Sequence, residues 1–396
     1  MPSILRYSNS IPIINKESEN MAKASSADAR EKALEDALKV INSKLKSQAG
    51  GDLIAKFGNK PKHVPTISTG SLVLDSLLGG GFAKGRVIEV FGPEASGKTS
   101  IALTALGNAQ KAGETAAFID LEHALDPYYA ETLGVDMENL LFSQPDYAEQ
   151  ALNLVMQLIN SGSVDFIVLD SVAALIPKAE FEGSLEDQTI GLVARILSRA
   201  LRQIAAAAGK NNVTVVFINQ TRVAIGGFSP SGVPETTTGG KALQFTASQR
   251  IRVSGTKQIT EGKETIGKAV LLNIKKNKIA PPFLKGETVL TFAQGINQKA
   301  ELIEVGPQYG IIDRPNNRTY LEAATGDKIG SSKAEALAML ETNTVLFDRL
   351  ALALQTAISD SIYNRRGKKS LLEEDPEKLK LEKTEDDTEA DSESEI

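Results

Sequence analysis

The chain has 396 residues, 41% hydrophobic and 24% charged, a balance that can bury a sizeable core and suggests more than one small domain. It has no cysteine, which excludes disulfide scaffolds, thiolate nucleophiles and Cys-based metal centres, and its two histidines, His63 and His123, argue against a multi-His metal centre. No apolar run reaches the ~18 residues of a membrane span, and the first residues lack the apolar stretch of a secretory signal, so a soluble, cytoplasmic protein without a membrane partner is expected.

Net charge is −6 but unevenly placed. Residues 371–396 carry 12 acidic and 3 basic residues, net −9, leaving 41 basic and 38 acidic residues, net +3, on the rest. A mildly basic body with an acidic tail fits a nucleic-acid binder whose tail competes with phosphate, or a tail that only solubilises.

In chain order, residues 1–25 read as a leader without periodicity, and 26–62 as an oligomerisation helix and linker. The helix is predicted over Ala27–Ser47, where Leu34, Leu38, Ile41 and Leu45 form one stripe that must find a partner surface, and Gly50-Gly51 ends it. Residues 63–296 alternate apolar runs (Val87–Phe91, Ala116–Asp120, Phe166–Asp170, Val213–Asn219) with helical stretches (Thr99–Ala112, Ala148–Ser161, Gly191–Ala208). That alternation predicts an α/β fold with a mostly parallel central sheet. Further strands are predicted at Arg250–Val253, Val270–Ile274 and Val289–Phe292. Residues 297–369 read as a small C-terminal α+β domain with helices over Ser332–Glu341 and Thr344–Ile362, and 370–396 as an acidic, disordered tail.

Gly92-Pro93-Glu94-Ala95-Ser96-Gly97-Lys98-Thr99 matches the phosphate-loop pattern, after an apolar strand and before a helix, as its chemistry requires. Backbone N–H groups and the helix N-terminus would face phosphate oxygens. Lys98 can reach the β- and γ-phosphates of ATP, and the Thr99 hydroxyl can ligate Mg²⁺. Asp170, at the end of a buried run, would hold the Mg²⁺ shell through water. Glu122 is the candidate to orient or deprotonate water. Glu122, Asp170 and Gln220 each lie just past a predicted strand's carboxyl end, where parallel sheets bind ligands. Tyr128 or Tyr129 could stack on adenine, and His123 reads as a local structural residue.

Further segments extend this pattern: Thr66–Leu72, Phe118–Pro127, Asp170–Leu175, Phe217–Gln220, Pro234-Glu235-Thr236-Thr237-Thr238-Gly239-Gly240 and Lys276-Asn277-Lys278-Ile279-Ala280. Together with the phosphate loop, and in this order, they resemble the bacterial RecA recombinase family over about residues 27–362. The resemblance implies a RecA-type P-loop NTPase core: an ATPase that forms a helical filament on single-stranded DNA and catalyses homologous pairing and strand exchange with duplex DNA. It implies nucleotide contacts from Gly92 through Ser100, from Asp126 and from Tyr129. Glu122 would activate water, Gln220 would sense the γ-phosphate, and Lys276 and Lys278 would reach a neighbouring subunit's γ-phosphate. DNA loops are implied at about Glu180–Thr189 and Thr221–Glu235, with Arg195, Arg199, Arg202, Arg222, Phe228, Gly239 and Gly240 as DNA-binding residues. The C-terminal domain would capture duplex DNA, and a LexA-type repressor is an implied partner. Two features depart from the family: the loop Gly226–Pro234 is longer, and Gln244-Phe245-Thr246 replaces a Lys-Phe-Tyr type run. A ring-forming motor of the same fold shares the phosphate loop and Asp170 but not the PETTTGG and KNKIA segments.

Overall fold

The computed structural model describes residues 29–43, 54, 64–184, 191–223, 235–261 and 263–367. It divides into two units, Met1–His63 and Val64–Ile396. In the first, α1 (29–43) is helical, and the Asn42 side chain ties its end to the backbone of Ile54, donating to the carbonyl at 2.8 Å and accepting from the N–H at 3.1 Å. Leu34 and Ile41 of the predicted stripe are exposed; Leu45 lies outside the described residues.

The second unit opens with β1 (Thr66–Ile67), α2 (Leu72–Leu78) and β2 (Phe82–Ala83), which pairs with β1. Ser71 caps α2 by accepting from the Leu74 N–H at 3.0 Å, and Gly79 closes it in the left-handed region at φ 88°. Then come β3 (Val87–Gly92), α3 (Lys98–Lys111), β4 (Ala116–Asp120), α4 (Pro127–Thr132), β5 (Leu141–Ser143), α5 (Ala148–Ser161), β6 (Phe166–Asp170), α6 (Lys178–Phe181), α7 (Leu192–Asn211) and β7 (Thr214–Val223). They are followed by β8 (Glu235–Thr237), α8 (Ala242–Thr246), β9 (Gln249–Glu261), β10 (Glu264–Asn277), β11 (Lys285–Thr291) and β12 (Gly295–Ile296).

The central sheet runs β12-β11-β10-β9-β3-β7-β6-β4-β5, with β8 paired to β7. From β9 to β5 neighbouring strands are parallel, as the alternating pattern requires. Beyond β9 the sheet continues as antiparallel hairpins, so it is mixed. Side chains alternate between its faces. Phe118, Phe166, Val168, Val216 and Ile218 pack with α2 and α3 on one face. Ala117, Ile119, Ile167, Leu169, Val215 and Phe217 pack with α5 and α7 on the other. Each fully buried Leu, Ile or Phe contributes about 1.5–3 kcal/mol.

Residues past 297 form α9 (Gln298–Val305), a three-stranded antiparallel sheet of β13 (Ile312–Asp313), β14 (Tyr320–Glu322) and β15 (Lys328–Gly330), and then α10 (Lys333–Thr342) and α11 (Thr344–Gly367). Leu302, Ile303, Leu340, Leu350 and Leu354 join the same core as α2. The junction also holds a buried carboxylate. Glu301 of α9 accepts from the Ser71 hydroxyl at 2.6 Å, from the Leu72 N–H at 2.6 Å and from the Thr288 hydroxyl.

Candidate nucleotide site

Four parallel strands end in one row. Register pairs Gly92 of β3 with Gln220 of β7, and Asp120 of β4 with Asp170 of β6. The chain then turns differently at each strand end. After β3 it forms the phosphate loop, where Gly92 leaves no room for a side chain, because a Cβ there would sit 1.9 Å from the Val253 carbonyl oxygen. Gly97 caps α3 at φ 101° without a side-chain hydrogen bond, so no side chain claims the first N–H groups of this 14-residue helix.

After β4, the Asp120 carboxylate gathers the next turn. It accepts from the backbone N–H groups of Glu122 (3.1 Å), Ala124 (3.1 Å) and Leu125 (3.2 Å), and from the Gln144 amide (3.1 Å). The turn passes through His123 at φ 52°, so His123 is part of the bend that presents Glu122. The Glu122 carboxylate then bridges the ends of β6 and β7. It accepts from the Ser171 hydroxyl at 2.5 Å and from the Gln220 amide at 2.9 Å.

A cavity of about 320 Å³ lies over this row. Glu94, Ala95, Ser96, Gly97, Lys98, Thr99 and Ser100 line it together with Glu122, Tyr129, Asp170 and Gln220. Gly92 and Pro93 form the base of the loop, where the Pro93 carbonyl accepts from the Lys98 ammonium at 2.6 Å. Burial pushes the Lys98 pKa down, opposed by the charges of Asp170, Glu122 and Glu94. Burial likewise raises the Asp170 carboxyl to about 7, against the hydrogen bond from the Thr99 hydroxyl at 2.6 Å. Tyr129 enters on α4 with its hydroxyl 2.8 Å from Ser100 Oγ.

The chemistry of these groups fits a bound polyphosphate with a hard cation. The buried Ser96 hydroxyl has no hydrogen-bond partner among the described residues, and it lies in the phosphate loop two residues before α3 opens at the buried Lys98. The Thr99 hydroxyl and the Asp170 carboxylate lie side by side and could both face a cation. No group of three or more His, Cys, Asp or Glu residues arranged to hold a metal ion on its own occurs among the described residues. Two protein oxygens with the remainder from water and phosphate is how Mg²⁺ is commonly held.

Other expected residues fall elsewhere. Asp126 does not line the cavity; it caps α4, accepting from the N–H groups of Tyr128 (3.0 Å) and Tyr129 (3.3 Å), and so positions Tyr129. Lys276 and Lys278 also lie outside the cavity. They flank Asn277, whose amide is anchored on the Leu78 carbonyl at 2.9 Å, and the Lys276 ammonium donates to the carbonyls of Gln244 (2.9 Å) and Phe245 (2.8 Å) at the end of α8. Arg195, Arg199 and Arg202 are exposed along α7, and Arg222 is exposed on β7. Gly239, at φ 82°, packs so tightly on Leu197 that a Cβ would approach it to 2.6 Å, and Gly240, at φ 76°, lies against Ala194. This places the turn after β8 beside the arginine-bearing helix. Phe228, Gly226–Pro234 and Leu185–Thr189 lie outside the described residues.

The cavity also contains Lys268 of β10, Leu290 of β11, and Phe292 and Ala293 just beyond, none of which the sequence pattern singled out. They come from the antiparallel extension and carry no motif. Only the β10–β11 register, which sets Lys268 against Leu290, brings them to the loop.

Comparison with known proteins places this geometry. Residues 32–297 match the family model described as the RecA N-terminal domain. The Protein RecA of Acinetobacter baylyi is 43% identical over 354 residues, covering 89% of this chain and 99% of that one. Those of Staphylococcus carnosus and Wolinella succinogenes are 47% and 46% identical, covering 77% and 84% of this chain. The chain belongs to the RecA family. The phosphate loop, Glu122, Asp170 and Gln220 therefore stand in a RecA-type α/β core of a recombinase acting in DNA repair. No described helix of this RecA-family chain is long and apolar enough to cross a membrane.

Proposed function

We propose that this RecA-family chain is a single-stranded-DNA-dependent ATPase that assembles as a helical filament on DNA in the cytoplasm and catalyses homologous pairing and strand exchange. The observation that carries the reading is the position of Gln220. Its amide holds the Glu122 carboxylate at 2.9 Å. Two and three residues further along the same strand, Arg222 and Val223 pair with Thr236 and Glu235 of β8, the two strands flanking the candidate DNA loop. Nucleotide chemistry and the loop base are thus joined by one short piece of backbone. Asn219 fastens the strand from below, donating to Glu89 at 3.1 Å and to the Thr238 carbonyl at 3.1 Å.

In this reading Lys98 and the N-terminus of α3 bind the phosphates of ATP. Thr99 would hold Mg²⁺ directly and Asp170 through water, and the ion would neutralise phosphate charge. Glu122, freed from Ser171 and Gln220, orients and deprotonates the attacking water. Tyr129 stacks on the adenine. Lys276, released from the α8 carbonyls, and Lys278 stabilise charge on the neighbour's transferring phosphoryl group, as arginine fingers do. Arg195, Arg199, Arg202, Arg222, Phe228 and the Gly239-Gly240 turn meet single-stranded DNA, with backbone and arginine contacts going to phosphates. Residues 297–369 capture duplex DNA, and the filament promotes self-cleavage of a LexA-type repressor.

The test is ATP hydrolysis with and without single-stranded DNA across a protein concentration series. Strong stimulation that rises cooperatively with protein is expected. Turnover that is independent of DNA and linear in protein would overturn the reading.

A further inference from the structure

We infer that Lys268, on the antiparallel extension of the sheet, is a second cationic contact to the polyphosphate of a nucleotide bound in its own subunit. The inference deepens the nucleotide reading above and rests on it. Lys268 is paired in register with Leu290. The Leu290 side chain lies against the phosphate loop, where a Cβ on Gly97 would meet its Cδ2 at 3.0 Å. The β10–β11 pair therefore forms a wall of the same cavity that holds Lys98, Thr99 and Asp170.

The Lys268 ammonium donates to the Ala95 carbonyl, and the Lys98 ammonium donates to the Pro93 carbonyl. Two lysines from different elements thus rest on loop carbonyls two residues apart. Their environments differ in one respect. Lys98 has the charges of Asp170, Glu122 and Glu94 around it. Lys268 has no ion pair with a carboxylate among the described residues, and burial depresses its pKa. The charge of Lys268 in turn disfavours protonation of Lys98. Two mutually repelling ammonium groups, one of them without a carboxylate partner, are thus held on neutral carbonyls at the mouth of a phosphate loop. An anion removes that repulsion, and a phosphate oxygen is a stronger partner for an ammonium than a peptide carbonyl. On nucleotide binding, Lys268 exchanges the Ala95 carbonyl for a phosphate oxygen.

A role confined to holding the loop predicts something different. A glutamine at this position can still donate to the Ala95 carbonyl but carries no charge, whereas an arginine keeps the charge. The experiment titrates the full-length chain, without DNA, with Mg-ATPγS and Mg-ADP by displacement of a fluorescent nucleotide. Lys268→Ala, Lys268→Gln and Lys268→Arg are compared with the parent chain, and folding is checked by circular dichroism. Loss of affinity for ATPγS by about tenfold or more is expected in both Lys268→Ala and Lys268→Gln, with Lys268→Arg close to the parent. Binding of both nucleotides by Lys268→Gln within about twofold of the parent overturns the inference. Lys98→Ala separates the two readings. If it loses binding while Lys268→Gln keeps it, only the Lys268 contact fails. If Lys98→Ala also binds as the parent does, the nucleotide site itself is misplaced.

Discussion

At the scale of single residues, the site rests on carboxylates placed by their neighbours. Glu122 is presented by a turn that Asp120 organises, and its carboxylate is already engaged by Ser171 and Gln220 at 2.5 and 2.9 Å. Glu122→Gln leaves the phosphate loop untouched, so nucleotide affinity should persist while DNA-stimulated turnover falls about 100-fold or more. Turnover near the parent rate in a steady-state assay would remove Glu122 as the water-activating group. The strand-end positions of Glu122, Asp170 and Gln220 were legible in the sequence because each ends or closely follows a mostly apolar run, and in a parallel sheet those runs end side by side. Lys268 and Phe292 were not legible for the complementary reason. Their segments lie more than a hundred residues from the phosphate loop, and no local pattern states which strand face will turn toward it.

At the scale of elements, the junction of α2 with α9 depends on one buried side chain. Glu301 satisfies two hydroxyls and the Leu72 N–H at the start of α2. A glutamine can present only one oxygen, and its NH₂ would face a donor, so Glu301→Gln should destabilise the Val64–Ile396 unit by roughly 1–3 kcal/mol in denaturant unfolding. Burial raises the Glu301 carboxyl to about 7 and the Asp75 carboxyl to about 6, above their ordinary values of 4.5 and 3.8. The folded chain therefore binds more protons than the unfolded chain between those limits. These two groups make stability fall as pH rises from about 3.8 to 7, and their contribution is flat above that window. A pH series of unfolding midpoints should show this slope, shallower in Glu301→Gln; an unchanged slope would exclude Glu301 as its source. Element boundaries in the sequence followed apolar runs, and this explains the misses. The runs Arg250–Val253 and Val270–Ile274 are the buried parts of β9 and β10, which continue to Glu261 and back from Glu264 as a hairpin with exposed polar residues. Ladder pairs such as Gln258 with Lys268 sustain that extension without any apolar signal. β5 escaped because it is three residues long, with Leu141 and Phe142 both exposed.

At the scale of the whole molecule, charge and assembly set the expectations. Removing residues 371–396 deletes net −9 from a chain whose remainder is net +3. The truncated chain should bind duplex DNA more tightly at low salt, with a steeper fall in affinity as salt rises. Identical salt series for the two chains would leave the tail without a regulatory role. Lys276 adds a kinetic consequence for the proposed filament. In the lone chain its ammonium is held by two carbonyls at the end of α8, one of them that of Phe245, a residue 74% exposed. A subunit must surrender both bonds before the lysine can serve a neighbour, and it recovers the loss only when that neighbour is present. Each joining of two subunits in the proposed filament, the first as much as any later one, should therefore be slowed by this release, which a concentration jump followed by light scattering would read as slow association. The same latch works in reverse: once engaged on a neighbour, the lysine should slow the departure of subunits on dilution.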